Sequence, residues 1–400
     1  MLTEARDEQN TRPNDIPTAT HEDGVQRAPS PLGFTTRPAS LFDPLPLRGV
    51  TARNRVMISP MCQYSCDDRS GRATDWHLVH LGSFATGGAG IVSVEATAVE
   101  ARGRISPYDV GLWNNEQIEP LARAARFVRA HGAVPAIQLA HAGRKASVDR
   151  PWTGGKPVEP GEIGWRVVGP SPIAFDAGFQ TPESLTTEGV REVVVAFARA
   201  AERALEAGFE LIELHAAHGY LLHQFLSPAS NQRNDEYGGS LENRMRLPLE
   251  VARAVRAVWP ERLPLFVRVS ATDWLDQDPT RPSWTLDQTV ELARRLKDEG
   301  VDAIDCSSGG NEAHVRIPVG PGYQTPLAER VRRDAGIPTV AVGLITDAAQ
   351  ADQIIRSGQA DLVALARAAL RNPHWPLEAA ITLRQPAPVL PQYERAIPAK

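Results

Sequence analysis

Cysteine is scarce in this 400-residue chain, which contains only Cys62, Cys66 and Cys306. Three dispersed cysteines are too few for a disulfide framework, so they indicate a reducing compartment, the cytoplasm. Long apolar runs are also missing, and none could cross a bilayer. The first forty residues lack the apolar segment of a secretory signal. The sequence therefore predicts neither secretion nor a membrane partner.

An excess of basic charge is absent as well, because the formal net charge is −5. Such a chain offers no electrostatic footprint for nucleic acid. No G-x-G-x-x-G motif follows the first apolar strand, which argues against a doubly wound dinucleotide-binding sheet, the second choice of fold. The 42% of apolar and 23% of charged residues are typical of a globular enzyme.

The chain divides into three predicted parts. Residues 1–40 combine prolines with charged and small residues, which predicts a flexible N-terminal extension. Residues 41–385 form the predicted core domain. Residues 386–400 form a predicted C-terminal arm, since Pro386 and Pro388 favour an extended segment that leaves the domain.

A repeated pattern predicts the fold of the core domain. A helical run ends in glycine and an apolar strand follows within one to three residues, with glycine as the left-handed helix cap. The glycines concerned are Gly90, Gly132, Gly208, Gly300, Gly336 and Gly358. Two further apolar strands, at 55–58 and 265–269, lack such a glycine. Eight strands alternating with helices indicate the α/β class and a single (β/α)8 TIM barrel.

Two imidazoles and a phenol follow the strand that leads to His215. His215 and His218 could face the same way if the backbone turns helically after the strand, and both could then donate N–H groups to one oxygen. Tyr220 would present a proton to the same pocket. Buried structural histidines or a zinc pair are equally compatible with this stretch. A barrel hydrolase using a metal bound by His215 and His218 therefore stays open, although no H-E-x-x-H motif is present.

Other polar residues lie where the remaining strands end, which is the active-site face of such a barrel. Gln138 and Arg268 could bind the carbonyls and nitrogens of a flat heteroaromatic ring. Gly343 and Arg367 follow the last two strands, where barrels bind phosphate. An aldolase or lyase barrel would use the same phosphate end, but the strand ends offer no lysine for it.

Several motifs resemble those of the Old Yellow Enzyme family, from about residue 41 to residue 395. They are the segments 59–64, 138–145, 215–220, 225–228, 235–240 and 243–244. Cys62, Tyr64 and the segment 392–395 resemble the bacterial thermophilic-like subclass, a name that says nothing about the stability of this protein. The resemblance implies an ene-reductase with tightly bound, non-covalent FMN and no metal, for which NADPH or NADH is the hydride donor. A non-catalytic flavin-binding module is the remaining alternative.

The resemblance also implies roles for individual residues. The residues expected to bind FMN are Ser59, Pro60, Met61, Cys62, Ala96, Gln138, Arg268, Gly343, Ala366 and Arg367. Many relatives have glycine where this chain has Ala366, but the backbone N–H is kept. The expected substrate is an activated alkene, such as an enone, enal, maleimide or nitroalkene, with His215 and His218 on its activating oxygen. Tyr220 would protonate the α-carbon, and Tyr64 would line the pocket.

The C-terminal arm is expected to act in a neighbouring subunit. In the family resembled, an arginine equivalent to Arg395 reaches the adjacent active site. Tyrosine and arginine are also enriched at interface anchors, which suits Tyr393 and Arg395. We therefore expect a homodimer or a dimer of dimers, with Arg395 completing the substrate pocket of the partner.

Overall fold

The computed structural model describes residues 38–397, apart from positions 276, 277 and 279. The predicted flexible extension falls almost wholly outside this part of the chain. Ser40, at the end of the predicted extension, is already buried, and its N–H donates to Asp43 Oδ2 at 2.7 Å. The packed domain therefore begins slightly before residue 41.

The core of the fold is a closed barrel of eight parallel strands that follow one another in chain order. The strands are β1 Val56–Ile58, β2 Ile91–Ala98, β3 Val134–Ala140, β4 Leu211–Ala216, β5 Leu265–Ser270, β6 Ala303–Ser307, β7 Thr339–Val342 and β8 Leu362–Leu365. Parallel pairing of β8 with β1, which places Leu365 opposite Ile58, closes the ring. The predicted (β/α)8 barrel is confirmed. A short hairpin of Leu45–Leu47 and Val50–Ala52 precedes it.

Helices surround the barrel. They are Asp75–Thr86, Ile118–Ala130, Thr187–Glu206, Leu221–Leu226, Leu241–Val258, Leu286–Asp298, Thr325–Ala335, Ala348–Arg356, Arg367–Arg371 and Trp375–Thr382. The helix Ile118–Ala130 follows directly on a 3-10 turn of Asn115–Gln117. Thr285 caps the helix Leu286–Asp298 by accepting from the Gln288 N–H at 3.4 Å. The Gln288 side chain makes no return bond to the cap, because its Oε1 has no partner among the described residues.

The interior of the barrel is apolar at its amino-terminal end. A cluster of buried side chains that includes Met57, Leu211 and Phe266 fills it. Inward-facing residues alternate along each strand, so the polar residues near the carboxyl ends form the next layers. The apolar core therefore fills the amino-terminal end of the barrel, and the polar residues surround the opening at its carboxyl-terminal end, the mouth of the barrel.

Five of the six glycines expected to cap helices have positive φ, between 63° and 85°. Gly90 is the exception, and its expected role was wrong. The left-handed residue after the first helix is Gly88, with φ of 98°. Gly90 is needed for close approach instead, because a Cβ there would lie 2.3 Å from the backbone oxygen of Asn54.

The C-terminal arm differs from the expectation of an extended segment. Pro391–Ala396 forms a 3-10 helix, so only the stretch before it lacks regular structure. The ring of Tyr393 packs edge-on against His374, with 5.4 Å between ring centroids. Within the described residues, no helix has both the length and the apolar character needed to cross a bilayer.

Replacement of Gly90 by alanine tests the close approach. We expect Gly90→Ala to lower the free energy of unfolding by about 1–3 kcal/mol, because the added methyl group overpacks against Asn54. Gly320→Ala is the control, since a Cβ there meets nothing within 4 Å. We expect it to stay within about 0.5 kcal/mol of the parent protein. Equal midpoints for both variants in urea unfolding would contradict this explanation.

Candidate active site

His215 and His218 lie side by side at the carboxyl end of β4. His215 is within the strand, and His218 follows in a tight turn in which its φ is 57°. The backbone therefore does not turn helically after the strand, but the two side chains still meet. His218 Nδ1 lies 3.3 Å from His215 Nε2, and the His215 and Tyr220 ring centroids are 5.0 Å apart.

Neighbouring groups determine which imidazole nitrogens carry protons. His215 Nδ1 accepts from the Ala217 N–H at 3.3 Å, so the proton of His215 is on Nε2. His218 Nε2 lies 2.7 Å from the Ser307 hydroxyl oxygen. When Ser307 donates this bond, the proton of His218 is on Nδ1. Two N–H groups then point into the same space and can share one acceptor oxygen.

The backbone of the turn is held from several sides. The Ser270 hydroxyl accepts from the His218 N–H at 2.9 Å, and Lys145 Nζ donates to the His218 carbonyl at 2.8 Å. Gly219 must remain glycine, because its φ is 72° and a Cβ would lie 2.2 Å from the Gly310 oxygen. These contacts stabilise a backbone conformation that non-glycine residues rarely adopt.

Burial keeps the two histidines and the tyrosine neutral. It is the main cause that lowers the pKa of both His215 and His218 well below the usual value, and the nearby Arg268 charge acts in the same direction. Burial is the main cause that raises the pKa of Tyr220 well above its usual value. Near neutral pH, the site therefore offers two neutral N–H donors and one phenol that retains its proton.

The residues after β1 lie along one side of the mouth. Ser59 N–H donates to the Leu365 carbonyl at 2.9 Å, whereas Ser59 Oγ is buried without a partner among the described residues. Pro60, Met61 and Cys62 follow and are partly exposed. Tyr64 has a φ of 51°, and its ring packs edge-on against that of Trp152, with 5.9 Å between the ring centroids. Burial raises the pKa of the Cys62 thiol well above its usual value, so the thiol stays protonated.

Gln138 and Arg268 lie deeper, on β3 and β5, and both are buried. Ala96 on β2 pairs in register with Gln138. Two acidic side chains accompany them. Gln138 Nε2 donates to Glu213 Oε1 at 2.7 Å, and Arg268 Nε lies 3.2 Å from Asp305 Oδ2. Sequence reasoning did not assign these two acids, although each stands two residues before a polar strand end.

Gly343, Ala366 and Arg367 line one cavity of about 220 Å³ at the ends of β7 and β8. Arg371, which shares the cavity, was missed, although its spacing of four residues from Arg367 places both on one helix face. Neither arginine has an ion-pair partner within the described part of the chain. Gln324 also lines the cavity and was missed because its loop carries no sequence signal. An anion with several oxygens would fit this cavity.

Comparison with known proteins decides the family. The model of the NADH:flavin oxidoreductase / NADH oxidase family matches residues 40–385. An NADPH dehydrogenase of Geobacillus sp. (strain WCH70) is 49% identical over 355 residues, which are 89% of this chain and 98% of that protein. This chain belongs to that family.

Solved structures agree with the assignment. Morphinone reductase superposes with a TM-score of 0.71 at 26% identity, over 88% of this chain and 91% of that one. Another structure of that enzyme is a complex with tetrahydroNAD. A 2-naphthoyl-CoA reductase has a TM-score of 0.77 at 23% identity, which shows a shared fold, and the match covers 52% of that longer chain. The Old Yellow Enzyme resemblance is confirmed, and the chain is an FMN-dependent NAD(P)H oxidoreductase.

The residues present fit FMN. The unpartnered Ser59 hydroxyl and the buried Gln138 and Arg268 suit the polar edge of a flavin ring. The cavity at Arg367 suits its phosphate, and a Cβ on Gly343 would lie 2.8 Å from Gln324 Nε2, which explains a glycine there. Membership of this family also removes the metal-dependent hydrolase alternative.

Arg395 is exposed and makes no hydrogen bond or ion pair with the described residues of its own chain. Its expected role in a neighbouring subunit stays a prediction. Among residues 38–397, with the gaps noted above, no group of three His, Cys, Asp or Glu side chains is arranged to hold a metal ion.

Ser307, the last residue of β6, and Ser308, which follows it, provide a matched test of the two ends of the site. The Ser307 hydroxyl lies 2.7 Å from His218 Nε2 and 3.5 Å from Gln324 Oε1, whereas the Ser308 hydroxyl donates to Gln324 Oε1 at 2.5 Å. We expect Ser307→Ala to weaken binding of a phenol ligand by about 2- to 12-fold, the effect of losing one hydrogen bond of about 0.5–1.5 kcal/mol. FMN affinity should be kept.

Ser308→Ala should instead weaken the binding of FMN by a similar factor and leave phenol binding to the FMN-loaded protein unchanged. Fluorescence titration of FMN and absorbance titration of the phenol measure the two affinities. The same response from both variants would show that the serines do not divide the site in this way.

Proposed function

We propose that the protein is an ene-reductase that reduces alkenes conjugated to a carbonyl or nitro group. The observation that carries this proposal is the pair of imidazole nitrogens 3.3 Å apart beside Tyr220. An oxidoreductase that only passed electrons from NADPH to an acceptor would need no such pair of donors aimed at one oxygen.

His215 Nε2–H and His218 Nδ1–H bind the oxygen of the activating group. Negative charge grows on that oxygen as the double bond is reduced, and neutral donors held in place stabilise it without reorganisation. When bound, FMN would supply the hydride-transfer chemistry between the reduced nicotinamide and the β-carbon. Gln138 and Arg268 orient the pyrimidine edge of the cofactor, and Arg367 binds its phosphate.

Tyr220 completes the reduction by giving its phenolic proton to the α-carbon. One hydride and one proton are then added across the double bond, so atoms and charge balance. The raised pKa of Tyr220 keeps that proton in place until the α-carbon becomes basic. Tyr64 lines the side of the pocket next to the Cys62 thiol.

The cytoplasm is the proposed location. All three cysteines are free thiols, and Cys66 and Cys306 are buried in that state. Free thiols persist in a reducing compartment. NADPH is the proposed donor, since the relatives of similar length carry the name NADPH dehydrogenase.

Joint replacement of His215 and His218 by alanine tests the proposed reaction. We expect the double variant to retain FMN and still be reduced by NADPH. Its reoxidation by an enone should slow by at least ~10²-fold, the effect of losing even one oxyanion donor. Stopped-flow absorbance separates the reductive from the oxidative half-reaction.

His131→Ala is the control, because His131 is a half-buried histidine at the end of the surface helix Ile118–Ala130. It should leave both half-reactions unchanged. Unchanged enone reduction in the double variant would exclude the shared oxygen site. A wild-type protein that is reduced by NADPH but reoxidised by no activated alkene would exclude an ene-reductase altogether.

We also propose that Arg395 completes the substrate pocket of a second subunit in a homodimer or a dimer of dimers. Three features support the proposal: Arg395 is exposed, its guanidinium lacks a partner among the described residues, and the short 3-10 helix that carries it has no buried residue. An unpaired charge on such an arm is available to a neighbour.

Arg395→Ala should weaken substrate binding by about ten- to a hundred-fold, which corresponds to ~1.5–3 kcal/mol for one charge-assisted contact. Arg262→Ala is the control, because Arg262 is an exposed arginine in the loop before β5. Steady-state kinetics and analytical ultracentrifugation are the measurements. A monomeric wild type, or kcat and KM values equal to those of the control, would contradict the shared pocket.

A further inference from the structure

Two buried acids lie directly beneath the histidine pair, and the proposed reaction does not use them. Glu213 on β4 and Asp305 on β6 are both fully buried. Glu213 stands two residues before His215, so its side chain enters the barrel on the same side, one layer deeper. Their neighbours in this layer are Gln138 from β3 and Arg268 from β5.

The contacts in this layer require a proton. The carboxyl groups of Glu213 and Asp305 lie within hydrogen-bonding reach of each other. Among the described residues, neither Glu213 Oε2 nor either Asp305 oxygen has a hydrogen-bond donor, although Arg268 Nε approaches Asp305 at 3.2 Å. Two ionised carboxylates would repel each other there, whereas one acid and one carboxylate form a strong hydrogen bond.

We propose that Glu213 and Asp305 hold one proton between them and act as a positioning pair for the Gln138 amide and the Arg268 guanidinium under the FMN ring. This inference rests on the proposed placement of the pyrimidine edge at Gln138 and Arg268. Arg268 faces Asp305, so Asp305 is the carboxylate and Glu213 the acid. Glu213 Oε1 is then a carbonyl oxygen that accepts from Gln138, which fixes the orientation of that amide.

The charges that face the pair are few. Arg268 from β5 is the cation, Gln138 from β3 is neutral, and the layer below is apolar, with Phe266 among its side chains. His215, one layer above on β4, is kept neutral by burial, which lowers its pKa. With one proton on the pair, the charges of Arg268 and Asp305 cancel. Without it, the floor of the site carries one negative charge.

The pH range of this change follows from burial. Burial, then the charge of Asp305, raises the pKa of Glu213 to about 8, and burial also raises the pKa of Asp305. A raised carboxyl pKa means that the proton is held at neutral pH and lost as the pH rises through that value. A negative floor opposes the addition of electrons to the ring above it. The midpoint potential of bound FMN should therefore fall more steeply with pH once the pair ionises.

The test uses the FMN-loaded full chain and the variant Glu213→Gln. Glutamine keeps the shape of the acid: its carbonyl can accept from Gln138 and its amide can donate to Asp305, but it cannot lose a proton. The midpoint potential is measured from about pH 6.5 to about pH 9.5, a range that brackets the pKa of about 8. We expect a break in the wild-type curve near the middle of the range and no break in Glu213→Gln.

Two further variants separate positioning from general damage. Glu213→Ala removes the oxygen that accepts the Gln138 hydrogen bond. We expect it to weaken the binding of FMN by about tenfold, the equivalent of one hydrogen bond. Asp352→Asn is the control, because Asp352 is a buried acid that accepts from the Leu41 N–H, away from the mouth. It should leave both FMN affinity and the potential curve unchanged.

Infrared spectroscopy of the wild type gives a readout that needs no variant. The carbonyl band of a protonated carboxyl should weaken between about pH 7 and about pH 9.5 as the pair ionises. A band that does not change over this range, or the same potential curve in wild type and Glu213→Gln, would overturn the proposal. Neither readout depends on alkene turnover, so failure of the ene-reductase assignment would be seen separately.

Discussion

The hydrogen-bonded closure of the sheet between β8 and β1 is the constraint on which the rest of the structure depends. It places Leu365 beside Ile58, so Ser59 and Arg367, more than three hundred residues apart in the chain, flank the same mouth. Each strand then contributes its last inward-facing residues to one shared space. The site therefore depends on closure of the barrel, and a single strand that failed to pair would separate its residues.

Three histidines outside the reacting group hold the loops around this mouth by the same arrangement. In each, Nδ1 accepts a backbone N–H and Nε2 faces a carboxylate. The Nε2–oxygen distances are 3.2 Å for His77 with Glu95, 3.4 Å for His141 with Glu100, and 3.0 Å for His223 with Asp273. The backbone groups belong to Thr74, Gly143 and Gly219. The loops are thus fixed before any ligand arrives, and such pre-organisation favours catalysis.

Local patterns were enough to predict the barrel, because each strand and helix carries its own periodicity. They also named His215, His218 and Tyr220, which are close in sequence as well as in space. Local sequence patterns could not predict contacts between residues on different strands. The left-handed turn at His218 depends on Ser270 and Lys145, and the acid that holds Gln138 comes from another strand. Gly90 was misjudged for the same reason, since Asn54 lies on a different segment.

The left-handed backbone at His218 restricts how this site can change in evolution. With φ at 57°, the position disfavours β-branched side chains whatever their chemistry. Asparagine and aspartate tolerate this conformation as histidine does, but only asparagine would still offer a neutral N–H donor. The backbone therefore narrows the workable alternatives at this position almost to one residue type. Changes in substrate preference should therefore arise from substitutions at neighbouring residues that line the pocket, where the backbone conformation accepts more residue types.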